Sequence, residues 1–212
     1  LEQFLEELTA KLREKRFGEV REILMTLNPV DIAQILAEVG ETDLTLLFRL
    51  LPKELAAEVF VEMDNDQQEY LISAFNDREL KEVLDELYVD DAVDLIEEMP
   101  AGVVKRILRH TNAEMRKDIN QLLRYPKDSA GSIMTTEYVD LKKHMTVAQS
   151  FERIRRIGPD KETIYTCYVT DENRKLIGLI SVKELLLADS SQMIEEIMET
   201  NITYVSTVDD QE

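Results

Sequence analysis

Oxygen ligands dominate the side chains of this 212-residue sequence that could do chemistry, and they are crowded into one stretch. Residues 54–100 hold sixteen Asp and Glu against only Arg78 and Lys81, a local balance of −14 within a total of −19. Carboxylates at that density form either a solvated, solubilising surface or a sink for hard cations, which prefer oxygen donors. Other reactive types are sparse. Cys167 is the sole cysteine, and His110 and His144 stand far apart. A disulfide framework and a Cys/His zinc site are therefore excluded on ligand count. There is no nucleophile–base pair and no glycine loop to cradle phosphate, so enzymatic chemistry is not expected. The negative charge argues against nucleic acid and against an anionic membrane surface. No stretch approaches the roughly 18 consecutive apolar residues of a membrane helix, and no signal peptide opens the sequence. The expectation is a soluble chain in a reducing cytoplasm.

The elements that must position these carboxylates follow from a twelve-residue beat. Ile32, Ile35, Leu36 and Val39 make an i, i+3, i+4, i+7 stripe, the spacing of one helix face. Steps of twelve give Leu44, Leu47, Phe48 and Leu51, then Ala56, Val59, Phe60 and Met63. The series continues from Gln68, Leu80, Ala92 and Val104, and runs back to Val20. Turn formers keep the same beat at Asn28, Gly40, Pro52, Asp64, Asn76, Pro100 and Asn112; only Tyr88 breaks it. Each unit is a helix of about two turns, too short to be stable alone. Such units must stack, which predicts a superhelix of short α-helices stabilised by nearest neighbours over residues 1–128.

The pattern changes at Tyr125-Pro126-Lys127-Asp128-Ser129-Ala130-Gly131-Ser132, where glycine and proline punctuate a junction. A short strand is predicted at Glu137–Leu141, then a helix opened by the capping box Thr146/Gln149. Thr163–Thr170 reads as a buried strand, Leu176–Ser181 as its partner across the polar turn Asp171–Lys175, and a last helix carries Leu185–Leu187. This β-α-β-β-α order, with its Asp171…Gly178…Ser181 spacing, resembles a CBS domain over residues 129–196. Ile133-Met134 recurs as Ile197-Met198, and Tyr138-Val139 as Tyr204-Val205. A second CBS copy is expected to start at 197–212 and to stop unfinished.

Together, the short-helix superhelix, the junction through Ile133-Met134-Thr135 and the stretch Pro159-Asp160-Lys161-Glu162-Thr163-Ile164-Tyr165 resemble the MgtE family of magnesium transporters or channels. The resemblance implies an α plus α/β fold and a homodimer paired through the CBS region. It also implies a cytosolic Mg²⁺-sensing part beside a membrane domain that this sequence does not contain, at the cytoplasmic face of the membrane. By this resemblance the chain senses but does not transport, and Mg²⁺ is its ligand. Matching motifs carry the sensing carboxylates to Glu58, to Asp90 and Asp94 with Asp91 between them, and to Asp210 and Glu212 with Asp209 as a neighbour; Val208 stands where similar sequences often have an acid. Helix capping is the other reading of Asp90 and Asp91. Asp90 and Asp94 at i and i+4 repel on one face, which makes sense if a cation relieves them. Two alternatives stay open: an adenine-nucleotide-sensing CBS module, with Glu184 after Lys183 where an Asp usually stands and Thr166 on the inner strand, and a protein-interaction scaffold.

Overall fold

A computed structural model describes residues 2–210 of the chain, with the side chains of residues 2–4 and 6 left aside. Ten short helices occupy its described N-terminal part. They are α1 (Glu2–Arg13), α2 (Phe17–Leu24), α3 (Pro29–Ala37), α4 (Glu41–Phe48), α5 (Lys53–Val61), α6 (Asn65–Ala74), α7 (Asp77–Leu84), α8 (Val89–Glu98), α9 (Ala101–His110) and α10 (Ala113–Leu122). From α3 to α9 each begins one residue after a beat position. The turn formers are therefore N-caps: Asn28 accepts from Asp31 N–H, Asp64 from Gln67 N–H and Asn76 from the N–H groups of Arg78 and Glu79. Each supplies an acceptor to backbone donors that the helix leaves without partners.

The stripes face inward as their spacing requires. Ile32, Leu36, Leu47, Val59, Phe60, Leu71, Leu80, Ala92 and Ile107 are buried. Helices pack on their next-but-one neighbours, α3 on α5, α5 on α7 and α7 on α9, with α4 on α6. The phenyl ring of Phe48 meets that of Phe60 edge-on at 6.3 Å and that of Phe75 at 5.4 Å. Two polar residues on the stripes are buried with partners: Gln68 Nε2 donates to the Phe60 carbonyl at 2.8 Å and Thr111 Oγ1 to the Ile107 carbonyl at 2.9 Å. Arg106 of α9 donates to the carbonyls of Ile72 and Phe75, closing the C-terminus of α6.

The described residues group into two compact units. One holds the chain up to Leu87 together with Asp91–Asn120; the other holds Tyr88–Asp90 and the chain from Gln121. The second unit contains β1 (Tyr138–Lys142), α11 (Val147–Ile157), β2 (Thr163–Thr170), β3 (Leu176–Ser181), α12 (Val182–Leu187) and α13 (Ile194–Ile197). The sheet order is β1-β2-β3, with β1 parallel and β3 antiparallel to β2. Val139 pairs with Cys167, and Cys167 with Ile180, so these residues share a face that α11, α12 and α13 cover with Val147, Ile154, Leu185 and Ile194. The capping box Thr146/Gln149 opens α11. Past α13, Glu199 exchanges both backbone hydrogen bonds with Leu179. Gly178 permits this approach, since a Cβ there would meet Met198 Sδ at 2.8 Å. Tyr204-Val205, the echo of β1, belongs to no strand of the described sheet. A strand exists only through a ladder partner, and none pairs with it among the described residues.

Candidate functional site

Helix α8, VDDAVDLIEE, carries five of the sixteen acids of the acidic stretch. Val89, Ala92, Val93, Leu95 and Ile96 are buried, which drives the helix onto its neighbours and leaves Asp90, Asp91, Asp94, Glu97 and Glu98 for the other side. On this spacing Asp94 lies one turn from Asp90, Asp91, Glu97 and Glu98 at once. Burial first, then Glu97 and Glu98, push its carboxyl above the usual aspartate range, although the residue still reaches solvent.

Within the first unit a half-open cavity of about 340 Å³ lies beside this helix. Asp91, Asp94, Glu97 and Glu98 form its acidic wall, Phe60, Met63, Leu87 and Leu95 its apolar floor, and Asn65 and Gln68 add amides. Among the described residues no group of three or more His, Cys, Asp or Glu converges tightly enough to grip a bare metal ion. A strongly hydrated cation such as Mg²⁺, which keeps several of its waters, suits such a wall better than a stripped one does.

The other predicted ligands fall elsewhere. Glu58 is exposed on α5 and does not line the cavity. Asp90 is half-buried and belongs with Tyr88 and Val89 to the second unit. There the N–H of Val89 donates to Glu137 Oε2 at 2.8 Å. Burial first raises the Glu137 carboxyl; the Val89 bond opposes this, Asp90 adds to it, and Lys161 and Glu162 act in opposite senses. Asp209 and Asp210 are exposed. Asp209 Oδ2 accepts from Ser206 N–H at 2.7 Å, its carbonyl accepts from Ala130 N–H at 2.8 Å, and Asp210 bridges to Ser129. Glu212 lies outside the described residues.

The residues tied to the rival chemistries are otherwise engaged. Burial pushes the Cys167 thiol up to about 11, far from a working nucleophile. His110 and His144 each face a different carboxylate, Asp77 at 3.4 Å and Glu172 at 3.8 Å. Glu184 forms a capping box with Ser181, whose N–H and Oγ–H both donate to it at 2.8 Å. Thr166 pairs with Ser181 across the sheet. Glu97 and Glu98 were within the counted charge but not singled out by motif, and Glu137 was signalled only by the missing turn former at Tyr88.

Comparison with known proteins adds to this geometry. The profile of the MgtE intracellular N domain matches residues 27–128, and that of the CBS domain matches residues 130–191. The magnesium transporter MgtE of Thermus thermophilus is 34% identical over 209 residues, 97% of this chain and 46% of that protein. MgtE of Enterococcus faecalis is 30% identical over 208 residues, covering 97% and 46%. The chain thus spans about half the length of the curated relatives it matches. A crystal structure of the cytosolic domain of the Mg²⁺ channel MgtE in complex with ATP superposes with a TM-score of 0.89 at 33% identity, covering 97% of this chain and 84% of that one. The soluble part of a magnesium transporter gives 0.88 at 27% identity, covering 99% and 82%.

Proposed function

Because the chain belongs to the MgtE family, we propose that it is a cytosolic Mg²⁺-sensing region that regulates a membrane pore. The observation that carries this is the acidic wall of Asp91, Asp94, Glu97 and Glu98, where Asp94 is crowded by like charges. Crowding of this kind destabilises a helix and is relieved when a divalent ion enters. In this reading hydrated Mg²⁺ is shared between the carboxylates Glu58, Asp90, Asp91 and Asp94 and those of Asp209, Asp210 and Glu212, and draws them together. Without the ion their mutual repulsion keeps the assembly loose.

The magnitudes are compatible with weak sites. A site at ten times its dissociation constant shifts a two-state balance by about 1.4 kcal/mol. Moving a gate from 1:99 to 99:1 takes about 5.5 kcal/mol, so roughly four such sites suffice. The relatives are named as transporters, which supports a regulatory rather than an enzymatic role. No helix among the described residues is long and apolar enough to cross a membrane. Pairing of two copies through the CBS region is part of the same reading. Leu186 and Leu187, 68% and 79% exposed on α12, and Tyr165, 80% exposed on β2, offer apolar surface for it.

Small-angle scattering across millimolar MgCl₂ tests the reading. The parent should compact, and Asp90→Asn/Asp94→Asn should stay folded without Mg²⁺ yet compact less. Equal compaction in the variant removes the site assignment; no compaction in the parent removes the sensor itself. A nucleotide reading is favoured by one observation, the ATP held by the similar cytosolic domain. It predicts a response to ATP titration that survives the Asp90/Asp94 substitutions.

A further inference from the structure

We infer that Glu137 is the N-terminal cap of α8 and thereby a positioning residue for its acidic first turn. At four boundaries of the helical repeat the residue before the helix is Asn or Asp, and its side chain accepts from the first turn. Asn28, Asp64, Asn76 and Asn112 do so at 2.9 Å to Asp31, Gln67, Arg78 and Met115 N–H respectively. At the α8 boundary stands Tyr88. Its only polar side-chain atom sits at the far end of a ring, so it cannot curl back onto the helix as Asn or Asp does. The acceptor comes instead from 48 residues along the chain, where Glu137 Oε2 takes the Val89 N–H at 2.8 Å.

The placement of Glu137 is itself fixed. Its own N–H donates to Thr135 Oγ1 at 3.1 Å and its carbonyl accepts from Glu162 N–H at 3.1 Å, at the edge where β1 begins. A carboxylate at a helix N-terminus complements the dipole and satisfies a donor that the helix cannot. Here it also faces Asp90, and burial and that neighbour both oppose its charge. A cap delivered from the edge where β1 begins makes the pose of Val89 and Asp90 depend on β1. The positioning role rests on the Mg²⁺ reading above; the capping role does not.

Amide hydrogen exchange on the full chain tests it in the parent, Glu137→Ala, Glu137→Gln and Tyr88→Asn/Glu137→Ala. Glu137→Ala should speed exchange at Val89 about fivefold and leave α3–α5 unchanged, while Glu137→Gln, whose amide oxygen still accepts, recovers most of the protection. Asn at position 88 should restore Ala92 and Val93, the first amides bonded within the helix, without restoring Val89. The MgCl₂ concentration that half-protects α8 should rise several-fold in Glu137→Ala and return in the double variant. Unchanged Val89 exchange in both Ala and Gln variants overturns the cap. Faster exchange throughout the sheet unit, with no rescue by Asn at position 88, overturns it too. A moved Val89 with an unmoved MgCl₂ midpoint overturns the positioning role. A parent blind to MgCl₂ overturns the proposed function, and the exchange at Val89 still decides the cap.

Discussion

Glu79 shows how a single carboxylate in so acidic a protein is held charged. The Arg49 side chain grips it from 30 residues away, with Nε to Oε1 at 2.8 Å and Nη2 to Oε2 at 3.2 Å, while Oε2 also accepts the Asn76 N–H of its own capping box. Arg49 most of all, then the Asn76 amide, hold its carboxyl below the usual glutamate range, with burial acting against them. A carboxylate with a depressed folded pKa stabilises the fold above its unfolded value, about 4.3, and that contribution is lost as pH falls through the folded value. Glu79→Gln should lower stability by about 0.5 kcal/mol at pH 7, chiefly through the lost ion pair with Arg49, since the amide oxygen still accepts the Asn76 N–H. Thermal melts at successive pH values should show parent and variant converging below about pH 4. A constant gap down to pH 3 would assign the loss to packing. Gly131 is a second residue whose identity is forced. A Cβ there would stand 2.6 Å from the Tyr125 ring and 2.6 Å from the Thr207 carbonyl, which itself accepts the Gly131 N–H at 2.8 Å. Gly131→Ala should therefore release Ser206–Asp210 from the junction, seen as faster amide exchange at Gly131.

At the scale of elements, α3 to α9 were legible because each is a local object: a 3.6-period stripe bounded by a cap, repeated until chance is excluded. The CBS-like strands were legible for a similar reason, β-branched and aromatic runs between polar turns, with β2 and β3 falling at Thr163–Thr170 and Leu176–Ser181 as read and β1 shifted one residue, to Tyr138–Lys142. What escaped was non-local or off the beat. Helix α1 keeps only half a stripe, with Leu8 and Leu12 buried but Lys11 and Lys15 at the other two positions. Helix α13 is a single turn fixed by backbone bonds to Met145 and Lys143. The cap of α8 comes from 48 residues along the chain, so only the anomaly at Tyr88 marked it. For the site, motif resemblance reached Asp91 and Asp94 of the acidic wall but not Glu97 and Glu98, because a cavity is a property of several helices at once. The repeat architecture also makes a prediction of its own. Phe60, 1% exposed and in ring contact with Phe48, sits where α5 meets its neighbours, so Phe60→Ala should cost about 3–5 kcal/mol. Urea denaturation of the helical unit measures it; a loss under 1 kcal/mol would mean that the stack repacks around the gap.

For the whole molecule the governing quantity is a formal charge of −19, with −14 of it in residues 54–100. Self-repulsion on that scale opposes compaction, and two different effects of added salt can relieve it. Screening is indifferent to ion identity at fixed ionic strength and shortens the Debye length to about 8 Å at 0.15 M. Site binding stabilises the folded form by RT ln(1 + [L]/Kd) and depends on the ion. The two separate if melting is followed in NaCl and MgCl₂ at matched ionic strength. NaCl should raise the transition by screening alone. MgCl₂ at about ten times the dissociation constant should add about 1.4 kcal/mol per site, or about 3–6 °C for a chain of this size. Asp90→Asn/Asp94→Asn should raise the NaCl baseline, because repulsion on α8 is removed, and shrink the extra MgCl₂ increment. Both changes are needed, since helix caps alone predict a lower baseline and an intact increment. If parent transitions coincide in the two salts at every matched ionic strength, the acidic wall is a solvated surface and the ion is only part of its atmosphere.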